Sequence, residues 1–463
     1  MKNTILIMNN RRAFLVLFFS IIYVSVYGQK DQQQKLLTLL NEGRYFEAKD
    51  LYNEISDSVS LNIDSYCKFR MAEGMNRKDI AVNELEKSLS SYPDLFGNET
   101  IDIYSLLFNT YRNLGKYEKV ISFYKLAREH LKKNPYNLNK EELALRKKNL
   151  EEAFSYFKEV SSQPSIKIHR KATNESINME DSLMLGFKAK FNGVPQMTIL
   201  DTGVDSYILM KKTTAKAIGI RLKNETKGTL NGVEMMGEEN MVDSIEIGNI
   251  TLYNIPVIIY DFDLTSCLSD SIRKDSSTME RFKIANKYLE NPIIGLPSML
   301  LIGKIEIDWE NKNIFFPYKN SNILRKDNNL FVFNNMLYAR LKINRIPFTG
   351  LLDSGSDDYI NMDTIFYQKY QKEIPIDTTT VKEKLNIASV HGVQLDVKYM
   401  VADNPIIEFS ERTIRYTGKH NIQIYPMFLP YLVSNGVLGI NFMKSIGRKT
   451  LLDFDNMRLE IVD

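Results

Sequence analysis

The tightest constraint on this chain is a short motif that occurs twice. Leu200-Asp201-Thr202-Gly203 returns as Leu352-Asp353-Ser354-Gly355, 152 residues later. A single Asp-(Ser/Thr)-Gly makes a good β-turn, and about 0.2 copies would arise by chance in a chain of this length. Chance does not repeat the flanks as well. Nine residues before each Asp an Asn opens a turn, Asn192-Gly193-Val194-Pro195 in one copy and Asn344-Arg345-Ile346-Pro347 in the other. After each Gly the chain reads x-Asp-x-Tyr-Ile, as Asp205, Tyr207 and Ile208, then Asp357, Tyr359 and Ile360. An offset this long marks a duplicated domain and not a short solenoid repeat.

A third element follows each Asp: two apolar residues and a Gly, Ile293-Ile294-Gly295 and Val437-Leu438-Gly439. Beyond each lies a strand-like run bearing carboxylates, Ile305-Glu306-Ile307-Asp308-Trp309 and Leu451-Leu452-Asp453-Phe454-Asp455. Strand alternation begins at Leu183 to Phe191, and both copies hold short β-branched runs bounded by Gly or Asn, such as Val257-Ile258-Ile259 and Ile406-Ile407-Glu408-Phe409. The charged stretch Ser266 to Glu290 reads as a partly helical insertion ahead of the Ile-Ile-Gly element.

On these residues the chain from about 183 to 463 resembles the pepsin/retropepsin class of aspartic peptidases, and within it the bacterial retropepsin-like aspartyl protease domains, here in tandem. The resemblance implies two β-barrel lobes, at 180–318 and 330–463. It implies Asp201 and Asp353 as the catalytic pair, with Thr202 and Ser354 bracing one loop against the other. Gly203 and Gly355 would bring backbone N–H groups to the carboxylates, and Gly295 and Gly439 would buttress the loops from beneath. Position 204 is Val, where the family commonly has Ala or Ser, whereas Ser356 conforms. Flap candidates stand in both lobes, at Asn231-Gly232 and His391-Gly392, with their glycines 31 and 39 residues past the respective Asp. Asn-Gly is a strong hairpin turn signal. Neither candidate contains the Tyr that pepsin-like enzymes carry in their single flap, so a flap on each lobe would be the retropepsin arrangement.

The chemistry explains why two carboxyls are needed. One water held between two Asp side chains can attack an amide carbonyl if one carboxylate takes its proton and the other carboxyl gives one to the carbonyl oxygen. Like charges that close cannot both ionise, so one carboxyl keeps its proton. The pair titrates as a unit, and the sequence does not say which Asp plays which part. Asp205 and Asp357 repeat with the motif and could tune the pair or cap the segment that follows.

Other regions narrow the function further. Sixty basic against 57 acidic side chains leave a formal charge of +3, which gives no electrostatic case for nucleic acid. With four His, no His-Glu-x-x-His and no glycine-rich phosphate loop, neither a metal nor another cofactor is expected. Residues 29–165 show apolar residues at helical spacing, with glycines at 43, 74 and 115. These segments resemble degenerate tetratricopeptide repeats, with Gly at the turn, an aromatic two residues on and a small residue opening the second helix. The fold class expected is therefore multidomain, helical repeats followed by two all-β lobes.

Arg11-Arg12 precede an apolar run of 15 residues, Ala13 to Tyr27, shorter than the roughly 20 a spanning helix needs. Residues 1–28 are expected to be a signal peptide cut after Gly28, and not an uncleaved anchor, which would place the protein in the periplasm or outside a bacterium. Cys67 and Cys267 fall in different expected domains and are read as idle thiols. The function expected is an exported aspartic endopeptidase acting on polypeptides, monomeric as an active unit, whose helices recruit substrate or a protein partner. The alternative is an inactive peptide-binding or scaffolding protein with degenerate protease lobes.

Overall fold

The computed structural model describes residues 27–462, apart from 115, 161–163, 174, 181–183, 223–225, 231–232, 262–273, 275, 318–327, 378–384, 390–391, 398, 417–421 and 428–432. Cys267, the lobe connector and most of the flap-turn residues lie outside the described residues, as does the apolar run up to residue 26. The chain divides into two units, Met1–Ile166 and Lys167–Asp463.

The first unit is helical. Tyr27–Asn41, Tyr45–Ile55, Leu61–Gly74, Lys78–Ser91, Thr100–Asn113, Tyr117–Lys133 and Lys140–Val160 follow one another, each packed on the next. Their apolar stripes meet in a core that includes Leu36, Leu40, Phe69, Leu85, Leu107 and Val120. Ala48 and Ala81 are fully buried one turn into their helices, where a larger side chain would force the helices apart. Gly43 turns between helices at φ 67. Gly74 does not: it ends its helix, and the left-handed residue is Asn76 at φ 56, whose short polar side chain tolerates that conformation. Position 115 lies outside the described residues. Cys67 is a buried free thiol, pushed up to about 12 by burial.

The second unit is built from the two copies. In the first, Leu185–Phe191 turns back into Val194–Asp201 with Phe191 opposite Val194. In the second, Met336–Ile343 turns into Ile346–Asp353 with Ile343 opposite Ile346. Both two-residue turns need positive φ at each position, and Asn192 (φ 49), Gly193 (φ 79), Asn344 (φ 48) and Arg345 (φ 70) supply it. The repeated Asn has a second job. Asn192 accepts from the Ser244 N–H and donates to the Ile218 carbonyl, and Asn344 accepts from Ile406 and donates to Glu373. Each Asn thus ties its hairpin to two other segments of its lobe.

The Asp-bearing strands run parallel to Ile293–Gly295 and Gly436–Gly439 respectively. Parallel strands in the middle of a sheet are covered on both faces, which is why Ile199-Leu200 and Leu351-Leu352 are unbroken apolar pairs. A five-stranded sheet, in the order Ser176–Asn178, Asn313–Phe315, Lys304–Asp308, Lys449–Asp453, Arg458–Ile461, joins the lobes. The two carboxylate-bearing runs are its central pair, with Lys304 opposite Asp453 and Asp308 opposite Lys449. Each makes an ion pair across the seam, 3.2 Å for Lys304–Asp453 and 2.9 Å for Lys449–Asp308. The same carboxylates close the next turn on themselves: Asp308 accepts both Asn311 donors, and Asp453 accepts the backbone and side-chain N–H groups of Asn456. A one-residue slip would leave buried Lys304, Asp453 and Asp308 without their partners, so the pairs fix the register between the lobes.

Candidate active site

Each Asp ends a strand and begins a tight loop, and the two loops meet. The Thr202 hydroxyl donates to the Leu352 carbonyl at 2.6 Å and accepts the Ser354 N–H at 2.9 Å. The Ser354 hydroxyl does the reverse, donating to Leu200 at 3.0 Å and accepting the Thr202 N–H at 3.0 Å. Both side chains are fully buried. Four reciprocal hydrogen bonds therefore hold the loops tip to tip.

Within each loop the glycine does two things. Its N–H donates to the Asp of its own loop, Gly203 to Asp201 Oδ1 at 2.8 Å and Gly355 to Asp353 Oδ1 at 2.9 Å. Its bare Cα also faces the opposite carboxyl: a Cβ on Gly203 would strike the Asp353 carboxyl, and one on Gly355 would strike that of Asp201. The buttress works from below. Asp201 lies in register with Gly295 and Asp353 with Gly439. Gly295 donates to the Tyr207 carbonyl and Leu296 to that of Val204, while Gly439 donates to Tyr359 and Ile440 to Ser356. Val204 therefore keeps the same backbone bond as Ser356; what it lacks is a hydroxyl.

The two carboxyls share one buried site. Asp201 is only 7% exposed. Burial, then the neighbouring Asp201 charge and a hydrogen bond with that side chain, pushes the Asp353 carboxyl well above the ordinary aspartate range. Two carboxyls this close disfavour a charge on both at once.

Two groups at the site are not part of the repeated motif. Tyr288, near the end of the helix Ser276–Leu289, donates its hydroxyl to Asp201 Oδ2 at 2.6 Å. Burial and the charges of Asp201 and Asp353 push that phenol well above its usual range, so it is a donor. Asp358 accepts from the Ser356 hydroxyl and from Asn361 Nδ2, and burial raises its carboxyl too. Asp205 and Asp357, the repeated candidates for tuning, are exposed, and Asp358 acts on Asp353 instead. Repetition could not mark Asp358, because its counterpart at position 206 is Ser. Tyr288 offered a weaker signal: an aromatic five residues before Ile293, inside a charged insertion.

At the flap candidates Leu230 pairs with Val233 and Ser389 with Gly392; Asn231, Gly232 and His391 lie outside the described residues, and Gly392 opens a strand.

Residues 187–279 match the family model described as aspartyl protease, a span holding the first Asp-Thr-Gly loop and its hairpin. No curated protein matches the chain. Among solved structures, a retropepsin-like aspartic protease from Rickettsia conorii is 19% identical, aligned over 33% of this chain and 91% of that one with a TM-score of 0.21.

Proposed function

We propose that this chain, whose residues 187–279 match the aspartyl protease family model and whose β-rich unit repeats the Asp-bearing loop, is an aspartic endopeptidase with a dyad of Asp201 and Asp353. The observation that carries the reading is geometric: two loops braced by Thr202 and Ser354 bring the Asp201 and Asp353 carboxyls together, each accepting its own loop's glycine N–H and each lying against the opposite loop's glycine. In the proposed reaction the ionised carboxylate removes a proton from a water as its oxygen attacks the peptide carbonyl carbon. The protonated carboxyl gives its proton to the carbonyl oxygen, forming a neutral tetrahedral diol. The C–N bond then breaks, a diol hydroxyl returns its proton to one carboxylate, and the departing nitrogen takes the proton held by the other.

The reading extends to the rest of the chain. Residues 1–28 serve as an export signal, on the strength of Arg11-Arg12 and the short apolar run, and the helices of 29–165 recruit substrate or a partner. A chain recovered from the periplasm or medium with an intact mass beginning near Gln29 fits this; retention of Met1 in a membrane fraction does not. The hydrolytic claim is tested with a mixed peptide library. Turnover that a pepstatin-like transition-state mimic blocks is the expected result. Peptide binding without cleavage at any pH from mildly acid to neutral would make this an inactive binding protein.

A further inference from the structure

Two equal carboxyls leave open which one is the base, and the tyrosine on the insertion helix breaks the tie. We propose that Tyr288 is a positioning residue that fixes the negative charge on Asp201 and thereby leaves the proton on Asp353. This rests on the hydrolytic reading of the dyad.

Among the described residues the two carboxyls receive different donors. Asp201 accepts the Gly203 N–H on Oδ1 and the Tyr288 O–H on Oδ2. Asp353 accepts the Gly355 N–H on Oδ1, and its further partner is the Asp201 side chain itself. Hydrogen bonds donated to a carboxylate favour its ionised form, and a bond to an ionised acceptor is stronger than one between neutral groups. The lobe with the extra donor therefore holds the charge. The local sequence cannot supply that donor: Val204 has no hydroxyl, and the Ser356 hydroxyl is turned to Asp358 Oδ2.

The charged surroundings point the same way. Facing Asp201 are Asp353 from the opposite loop and Tyr288 from the helix; Tyr260 stands behind Tyr288, and Asp358 acts on Asp353. A second acidic neighbour, Asp358, on the Asp353 side further disfavours a charge there.

Tyr288 is also held in place, which a removable plug would not be. The Tyr260 hydroxyl donates to the Leu289 carbonyl at 2.6 Å, and the Thr214 hydroxyl to Glu290 at 3.2 Å. Pro292, next to the buttress strand, accepts from the Thr198 hydroxyl and the Ile199 N–H. From Leu289 to Ile293 the chain is tied to the lobe that carries Asp201, so the phenol and its carboxylate belong to one rigid piece. The helix also approaches the hairpin strand Leu385–Ser389 of the other lobe, so it lies where the two lobes meet.

The test is a pH titration of the full chain carrying aspartate labelled with 13C at the side-chain carboxyl, for the natural sequence and for Tyr288→Phe, alongside the pH profile of kcat/KM. Removing the hydroxyl should raise the lower apparent pKa of the dyad by about one unit, and the acid limb of the profile should move with it, about tenfold less activity at the foot of that limb. In the natural chain the ring carbon bearing the Tyr288 hydroxyl should titrate with that same lower step, a reading that needs no variant to fold. A flat Tyr288 signal or an unchanged lower pKa overturns the inference. So does a Tyr288→Phe chain that is more active at every pH, which would make the phenol a block on the site. If the carboxyls shift as expected but no peptide is cut by either chain, the hydrolytic reading fails and the charge placement stands.

Discussion

The two lobes share a scaffold and differ in what surrounds the carboxyl each one contributes. The first surrounds its Asp with donors: Asp201 is buried and accepts from Gly203 and from Tyr288 on the insertion helix. The second gives its Asp an acidic neighbour: Asp353 is more exposed, and Asp358 occupies the position that Ser206 holds in lobe one. The hairpins differ as well. In lobe one the strand Val233–Ile247 continues from the hairpin into ladder pairing with Ile250–Tyr260. In lobe two Leu385–Ser389 and Gly392–Val397 make a two-stranded sheet of their own, with a register shift between Leu385 and Ile387. Duplication thus supplies a symmetric frame, and the two acids sit in unlike surroundings within it.

The strongest test of the shared frame is the dyad itself. Asp201→Asn and Asp353→Asn each remove a titrating carboxyl, and each should lower peptide turnover by about 10²–10⁴-fold or more. Near-normal turnover in either would end the two-lobe site. Next in size are the buttress glycines, where the lobes should behave alike. A Cβ on Gly295 would meet the carbonyls of Ser206 and Val204, and one on Gly439 those of Asp358 and Ser356. Gly295→Ala and Gly439→Ala should each destabilise the β-rich unit by about 2–4 kcal/mol in urea unfolding. A large loss in one and none in the other would show that only one loop is truly buttressed.

The smallest effect is the most asymmetric. Between the ordinary aspartate value of 3.8 and its raised value, folded Asp353 keeps a proton that the unfolded chain has released. Stability therefore falls as pH rises through that window. Asp353→Asn removes the loss, so it should melt higher than the natural chain at neutral pH, with the gain fading as pH drops toward 3.8. Asp201→Asn weakens the acceptor of two donors and should go the other way, by about 1–2 kcal/mol. Shifts of the same sign in both variants would erase the proposed difference between the lobes.

The frame was legible because each of its parts answers a rule that acts twice. Asp-(Thr/Ser)-Gly needs a hydroxyl for the brace and a bare Cα for the close approach, the Asn nine residues earlier needs positive φ, and the apolar pair before Gly295 or Gly439 needs cover on both faces. The asymmetric parts were illegible for the same reason. Tyr288 has no counterpart at the repeat spacing and reaches Asp201 from 87 residues away. Asp358 was hidden behind Asp357, which repeats but is exposed. Nor did the carboxylates of Asp308 and Asp453 announce their lysine partners, because the pairing of one lobe's strand with the other's is a tertiary fact. In the helical unit Gly74 misled, since Asn76 could take the left-handed turn in its place.

What ties these differences together is the claim that both carboxyls come from one chain. The most direct measurement mixes two inactive proteins, Asp201→Asn and Asp353→Asn, and follows peptide hydrolysis as concentration is raised. With Thr202 and Ser354 bracing the loops of a single chain, every molecule in the mixture keeps one Asp and one Asn at its site. The mixture should stay inactive at every concentration. Activity that appears and grows with concentration would mean that lobes pair between chains, and the single-chain dyad would have to be abandoned.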